Sequence, residues 1–237
     1  STSSNTDGSI TSTVQANTTA GFSIVTYTGN NTTGATFGHG LGVSPAMFII
    51  KDRSGAANWA TWNKNLPTDY NLYLNTADAQ FSAGGFAGMG VTSSLIQLPT
   101  GGTNTINESG NNYVCYVFAE IEGYSKFGSY IANANTDGTF IYTGFKPAFI
   151  IAKNTTIAQQ WVMIDNTRDT FNEVAKGLNP NNTNAEADNS PNNGCDFLSN
   201  GFKIRAVGTG DLNYGSGHNY IYMAFAENPF VTSGAVP

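Results

Sequence analysis

Charge is what this chain of 237 residues has least of: 11% of its residues are charged, against about a quarter in an ordinary soluble domain. Ten Lys and Arg stand against sixteen Asp and Glu, for a net charge of -6. Ten scattered cations cannot build the basic stripe that nucleic acid or an anionic membrane surface requires, so neither is expected as a partner. No apolar run approaches the ~18 residues of a membrane helix. The first residues lack a basic region followed by an apolar stretch, so no signal peptide is read there. Histidine and cysteine are as scarce, at two each. His39 and His218 fall in non-equivalent Gly-rich turns and read as exposed; with Cys115 and Cys195 they supply no ligand spacing for zinc. No metal and no cofactor is therefore expected. The two cysteines read as buried thiols or as a disulfide, and spacing does not decide between them. There is no Gly-x-Ser-x-Gly elbow and no glycine loop carrying a Lys-Ser/Thr pair, which removes the usual serine-hydrolase and phosphate-binding readings.

What fills the gap is Gly, Asn, Thr and Ser, together with 11 Tyr and 15 Phe. Aromatics in short alternating bursts between turn formers describe an all-β protein rather than a disordered one. The chain also repeats itself. Tyr27 and Tyr130, Asn30 and Asn133, and Phe37 and Phe140 are each 103 positions apart. Pro45 and Pro147, and Trp59 and Trp161, are 102 apart, while Tyr113 and Tyr220, Phe118 and Phe225, and Glu120 and Glu227 are 107 apart. The extra five residues of the second copy are expected in the Asn-rich tract 179–194, because insertions collect in solvated loops.

The spacing predicts an N-terminal extended tail or tether over 1–20, a first β repeat over 21–124, a second over 125–230, and a C-terminal tail over 231–237. Residues 1–20 carry one weak alternation, Ile10, Ser12, Val14 and Ala16, able to serve as an edge strand or as a tether. Within the first repeat, strands are expected at 22–28, 35–38, 46–51, 58–63, 71–75, 91–98 and 113–121. The run 46–51 is apolar throughout and suits a strand buried on both faces. Residues 168–178 align with 70–74, so an extended segment is expected there rather than a helix. Asn-Thr-Asp-Gly occurs at 5–8 and again at 135–138, and Asp-Gly suggests hairpin turns. The predicted architecture is two tandem homologous halves, each like a β-sandwich or jelly roll, packed together.

Chemistry has few places to sit. Glu120 and Glu122 would share a face if they lay on one strand, as a glycosidase pair must. Their spacing resembles the catalytic strand of laminarinase-like jelly-roll glucanases, but Phe118 takes the place of a third carboxylate. Glu227 repeats Glu120 while Pro229 replaces Glu122, which favours a structural acceptor that caps turn amides. Glu186 and Asp188 could face calcium, though their spacing matches no known loop. Flat rings that stack on sugars are the other option. Trp59 and Trp161 are repeated, so they read as core filling, whereas Trp62, Tyr70, Tyr73 and Tyr214 are unmatched and are the candidate glycan-binding residues.

GFSIVTYTGNNTTGATFGHGLGVSPAMFIIKDRS, YVFAEIEGYSKFGSY, FIYTGFKPAFIIAK, WVMIDNTRD, DFLSNGFKIR and YIYMAFAENPF together span residues 21–230. These strings resemble a duplicated β-domain of unknown function that recurs in virion and tail-fibre structural proteins of marine bacteriophages, cyanophages among them. The resemblance implies a non-enzymatic virion structural protein at the particle surface: a tail-fibre, appendage or capsid-surface module that contributes to host attachment. It further implies other virion proteins as partners, a homo-oligomer with a trimer favoured, and a host surface glycan as a ligand. A carbohydrate-binding adhesin module is the alternative, and a glycan-degrading enzyme using Glu120 and Glu122 is the third reading. The family supplies no catalytic residue to carry over.

Overall fold

A computed structural model describes residues 1–82, 87–99, 105–188 and 190–229. Among them there is no helix, and every regular element is a strand. The chain divides into two compact units, one of residues 1–74 and 80–120, the other of residues 75–79 and 121–237. The C-terminal tail 231–237 and Phe230 lie outside the described residues.

The first unit contains β1 (Ser3–Asn5), β2 (Ser12–Asn17), β3 (Phe22–Thr28), β4 (Thr36–Gly38), β5 (Met47–Asp52), β6 (Ala60–Asn63), β7 (Leu72–Tyr73), β8 (Gly90–Val91), β9 (Leu95–Gln97) and β10 (Asn112–Phe118). Seven of these form one antiparallel sheet in the order β1-β2-β3-β10-β5-β6-β7, and β4-β9-β8 form a smaller one. The second unit contains β11 (Ser125–Ile131), β12 (Phe140–Tyr142), β13 (Pro147–Asn154), β14 (Trp161–Asp165), β15 (Lys176–Leu178), β16 (Ala187–Asp188), β17 (Cys195–Leu198), β18 (Gly201–Ile204) and β19 (Asn219–Ala226). Its sheets run β11-β19-β13-β14-β15-β16 and β12-β18-β17. The two strand orders coincide: β3-β10-β5-β6-β7 reappears as β11-β19-β13-β14-β15, and β4-β9-β8 as β12-β18-β17.

Period-2 alternation explains the core of each unit. Val25, Tyr27, Phe48, Ile50, Tyr113, Cys115 and Val117 point from the large sheet of the first unit onto Phe37 and Ile96 of the small one. This is sandwich packing, in which inward residues of both sheets interdigitate. In the second unit Tyr130, Ile150, Ala152, Tyr220 and Tyr222 meet Ile141, Phe197, Phe202 and Ile204 in the same way. β5 is buried from Met47 to Ile50, so both its faces are covered, as its unbroken apolar run requires.

Several expectations need correction. Phe37 is fully buried and pairs with Ile96, but Phe140 is 43% exposed and pairs with Lys203. The buried counterpart of Phe37 is Ile141, which pairs with Phe202. The repeat slips by one residue here, and in a strand one residue reverses the face. The stretch 91–98 is not one strand. Thr92 N donates to the Leu95 carbonyl at 2.9 Å, and the Thr92 hydroxyl accepts from Ser94 N and Leu95 N, folding a tight turn between β8 and β9. Such hydroxyl-to-amide bonds compete with a ladder and here they win.

Residues 1–20 form β1 and β2, which add to the edge of β3 in the same chain; Val14 pairs with Val25, and Ile10 and Val14 join the core. The two Asn-Thr-Asp-Gly strings form matching Asx turns: Asp7 N donates to Asn5 Oδ1 at 3.0 Å and Asp137 N to Asn135 Oδ1 at 2.8 Å. Each glycine is demanded by close approach, since a Cβ on Gly8 would strike the Thr36 carbonyl and one on Gly138 the Ile204 carbonyl. Residues 168–178 contain no helix, but they are not extended throughout: turn and bends run to Glu173, Val174 makes a single bridge to Cys195, and only β15 is strand.

Candidate functional site

Of the four glycan-binding candidates, Trp62, Tyr70 and Tyr73 belong to the first unit and Tyr214 to the second. β6 alternates, so Ala60 and Trp62 share one face and Thr61 and Asn63 the other. Ala60 belongs to the core, and Trp62 follows it inward, stacking on Phe48 with centroids 5.2 Å apart. Tyr73 pairs with Ala60 across the strands and packs against the same core, 4.8 Å from Phe81. Tyr70 is half-buried in the turn before β7, its amide bonded to the Pro67 carbonyl. Tyr214 belongs to the other unit, where its amide donates to the Tyr220 hydroxyl at 2.9 Å and its ring stacks on His218. Of the repeated tryptophans, Trp161 is fully buried and Trp59 half-buried against Tyr116.

The carboxylate pair loses its premise. β10 ends at Phe118, so Glu120 and Glu122 lie in the connection beyond it, Glu120 in the first unit and Glu122 in the second. Strand alternation does not apply to them. Glu120 forms a 2.8 Å ion pair with Lys64. Its repeat partner Glu227 binds Lys146 at 2.9 Å and the Asn166 amide at 2.9 Å. Lys64 and Asn166 occupy matching places, each donating its backbone N–H to an alanine carbonyl, that of Ala46 or Ala148. In both units this glutamate therefore accepts from side-chain donors. Glu186 is held by Arg168 at 3.0 Å, and among the described residues no group of three His, Cys, Asp or Glu could hold a metal.

What the two units do share is a buried polar pillar. Tyr27 and Tyr113 stack with centroids 5.0 Å apart, and Tyr130 and Tyr220 at 4.7 Å. Tyr27 donates to the Ile106 carbonyl at 2.6 Å, and Tyr130 to the Leu212 carbonyl at 2.8 Å. Tyr113 and Tyr220 in turn accept from the amides of Glu108 and Tyr214. Burial pushes the phenols of Tyr113 and Tyr220 up to about 12, and those of Tyr27 and Tyr130 well above the ordinary value. Beside each pair sits a fully buried asparagine. Asn107 accepts from Asn30 N and donates to the Thr32 carbonyl. Asn213 accepts from Asn133 N and Ala134 N and donates to the carbonyls of Asn135 and Ala206.

Sequence reasoning missed the asparagines, although Asn107 and Asn213 are spaced almost as their tyrosines are. It also misjudged His39, which is buried. Its Nδ1 accepts from Leu41 N and its Nε2 faces the Thr92 carbonyl, both at 3.3 Å. That requires the neutral ring, and burial holds its pKa below the usual value. His218 is half-buried. Lys153 is buried too; its ammonium donates to the Asn154 carbonyl at 2.7 Å, and burial lowers its pKa to about 8. Lys51, its counterpart, makes the same bond to the Asp52 carbonyl. Cys115 and Cys195 are free, buried thiols in different units, and burial pushes both pKa values up, away from thiolate chemistry.

Residues 1–229 match the model of one family, Domain of unknown function (DUF7483), and the chain belongs to that family. The match takes in residues 1–20 and both units. No curated protein and no solved structure is significantly similar.

Proposed function

We propose that this member of the family is a non-enzymatic structural protein of a bacteriophage virion, a tail-fibre, appendage or capsid-surface module exposed on the particle and contributing to host attachment. The observation that carries the non-enzymatic part is the use made of repeated positions. The Tyr pairs, the buried asparagines and Glu120 with Glu227 each make bonds within their own unit. The virion part rests on the resemblance of the strings within 21–230. Its partners are then other virion proteins and further copies of itself, with a trimer favoured. Two measurements test it. Antibodies against the chain should decorate intact particles of the encoding phage in electron micrographs, and sedimentation should return three times the chain mass. A protein missing from purified particles sinks the proposal.

A second reading, a carbohydrate-binding adhesin module, retains Tyr70 and Tyr214; all four candidates are half-buried, but Trp62 and Tyr73 are packed against the core of the first unit. Alanine at Tyr70 and Tyr214 should then abolish binding on a host-glycan array. The enzymatic reading needs Glu120 and Glu122; if it holds, wild type releases reducing sugar from host polysaccharide and Glu120→Gln does not.

A further inference from the structure

The outward face of the first unit's large sheet carries an ordered set of polar side chains that neither reading uses. On β2 and β3, inward residues Ser12, Val14, Val25 and Tyr27 alternate with outward Thr13, Thr26 and Thr28, and Thr11 precedes β2 with the same parity. On β10, Asn112 is opposite Thr28. Just past the end of β5, Arg53 N donates to the Asn112 carbonyl at 2.8 Å, which brings Arg53 into line with Asn112. Thr11, Thr28, Asn112 and Arg53 therefore form one transverse row over four strands, with Thr13 and Thr26 paired in the row below. Neighbouring strands lie about 4.8 Å apart, so the row presents one polar group per step over roughly 14 Å. These residues line an open groove of about 170 Å³.

The groove has one charge. Arg168 and Arg205 are paired with carboxylates, but among the described residues Arg53 has no ion pair. No carboxylate lines the groove. Asp52, next in the chain, faces the opposite side of the sheet, where it accepts from Ser54 N, Gly55 N and the Asn111 amide. The Thr28 hydroxyl donates to Asn112 Oδ1 at 3.1 Å, which fixes the Asn112 amide and leaves its N–H groups available. The second unit cannot repeat the device. Ile131 and Thr155 stand where the first unit has Thr28 and Arg53, and among the described residues no equivalent of β2 lies beside β11.

We propose that this groove binds an anionic saccharide, a sugar chain bearing carboxylate or sulfate groups. Hydroxyl and amide groups at regular intervals suit a ligand made mainly of hydroxyls, and an unpaired guanidinium suits one planar or tetrahedral oxyanion on it. A nucleic acid would need many cations in the row, and the chain is net acidic. The groove is open and smaller than the ~300 Å³ of a typical enclosed ligand site, so weak binding is expected. This inference stands on the groove alone and survives failure of the virion proposal.

The test is an amide chemical-shift titration of the full chain at low salt with three probes: oligogalacturonate for carboxylate, a sulfated oligosaccharide for sulfate, and maltohexaose as the neutral control. The expected result is movement of the Thr13, Thr26, Thr28, Arg53 and Asn112 signals with at least one charged probe, suppressed by salt. The charged probe that moves them identifies the oxyanion. Arg53→Gln, a change at an exposed side chain, should keep the dispersed spectrum and weaken that binding by about tenfold or more. The proposal is overturned if neither charged probe moves these signals, if maltohexaose binds equally well, or if Arg53→Gln binds as tightly as wild type.

Discussion

Asn213→Ala is the most direct test of the polar pillar. The side chain is fully buried with five polar partners: it accepts from Asn133 N at 3.1 Å and Ala134 N at 3.3 Å, and its two amide hydrogens are shared among Asn133 Oδ1 at 3.3 Å, Asn135 O at 2.8 Å and Ala206 O at 2.9 Å. Truncation strands these groups unequally. Ala206 is fully buried, and a buried carbonyl without a donor costs about 1–3 kcal/mol. Residues 133–135 reach solvent, so water replaces the lost partners there at roughly 0.5 kcal/mol each. The total is about 4 kcal/mol, or about 15 °C in the melting temperature of a unit this size. Calorimetry with urea melts reads it, and the loss should fall on the transition of the second unit. Asn107→Ala, whose side chain has fewer partners in Asn30 and Thr32, should cost about 2 kcal/mol in the first unit. Asn213→Asp keeps the shape but aims a carboxylate at two carbonyls, so it should be at least as damaging as alanine. A loss below about 1 kcal/mol for Asn213→Ala, or a well-tolerated aspartate, would refute the reasoning.

Other perturbations follow from the same contacts. His39 is neutral when folded and its pKa is lowered, so the unfolded chain takes the proton first. Its contribution is complete above about pH 6.5 and is lost as pH falls; acid melts should show that slope, and His39→Gln should flatten it. The phenols of Tyr113 and Tyr220 are raised to about 12, against about 10 unfolded. Their stabilisation is therefore present below pH ~10 and lost as pH rises through 12, and phenolate absorbance should show a late class of tyrosines that disappears in urea. Gly138→Ala must push its methyl into the Ile204 carbonyl and should lower the second unit's stability by roughly 1–3 kcal/mol, read by the same melts; an unchanged midpoint would show that the turn yields.

The sequence by itself determined the all-β class, the strands β3, β5, β6 and β10, and the equivalence of Tyr27 with Tyr130 and of Tyr113 with Tyr220. Those features are written in local alternation and in spacing that survives between copies. Tertiary structure decided the rest. Whether Phe37 answers Phe140 or Ile141 depends on which residue faces Ile96 or Phe202 across the small sheet, and a 103-residue spacing cannot resolve a one-residue slip. His39 looked like a turn residue because the Thr92 carbonyl that encloses it is 53 positions away. Asn107 and Asn213 looked like two more polar residues in an Asn-rich chain, since the groups they satisfy lie up to 80 positions away. The Thr–Asn–Arg row exists only because β2 lies along β3 and Arg53 falls level with Asn112. Local pattern fixes which way a side chain points, but only the pairing of distant strands fixes what it meets.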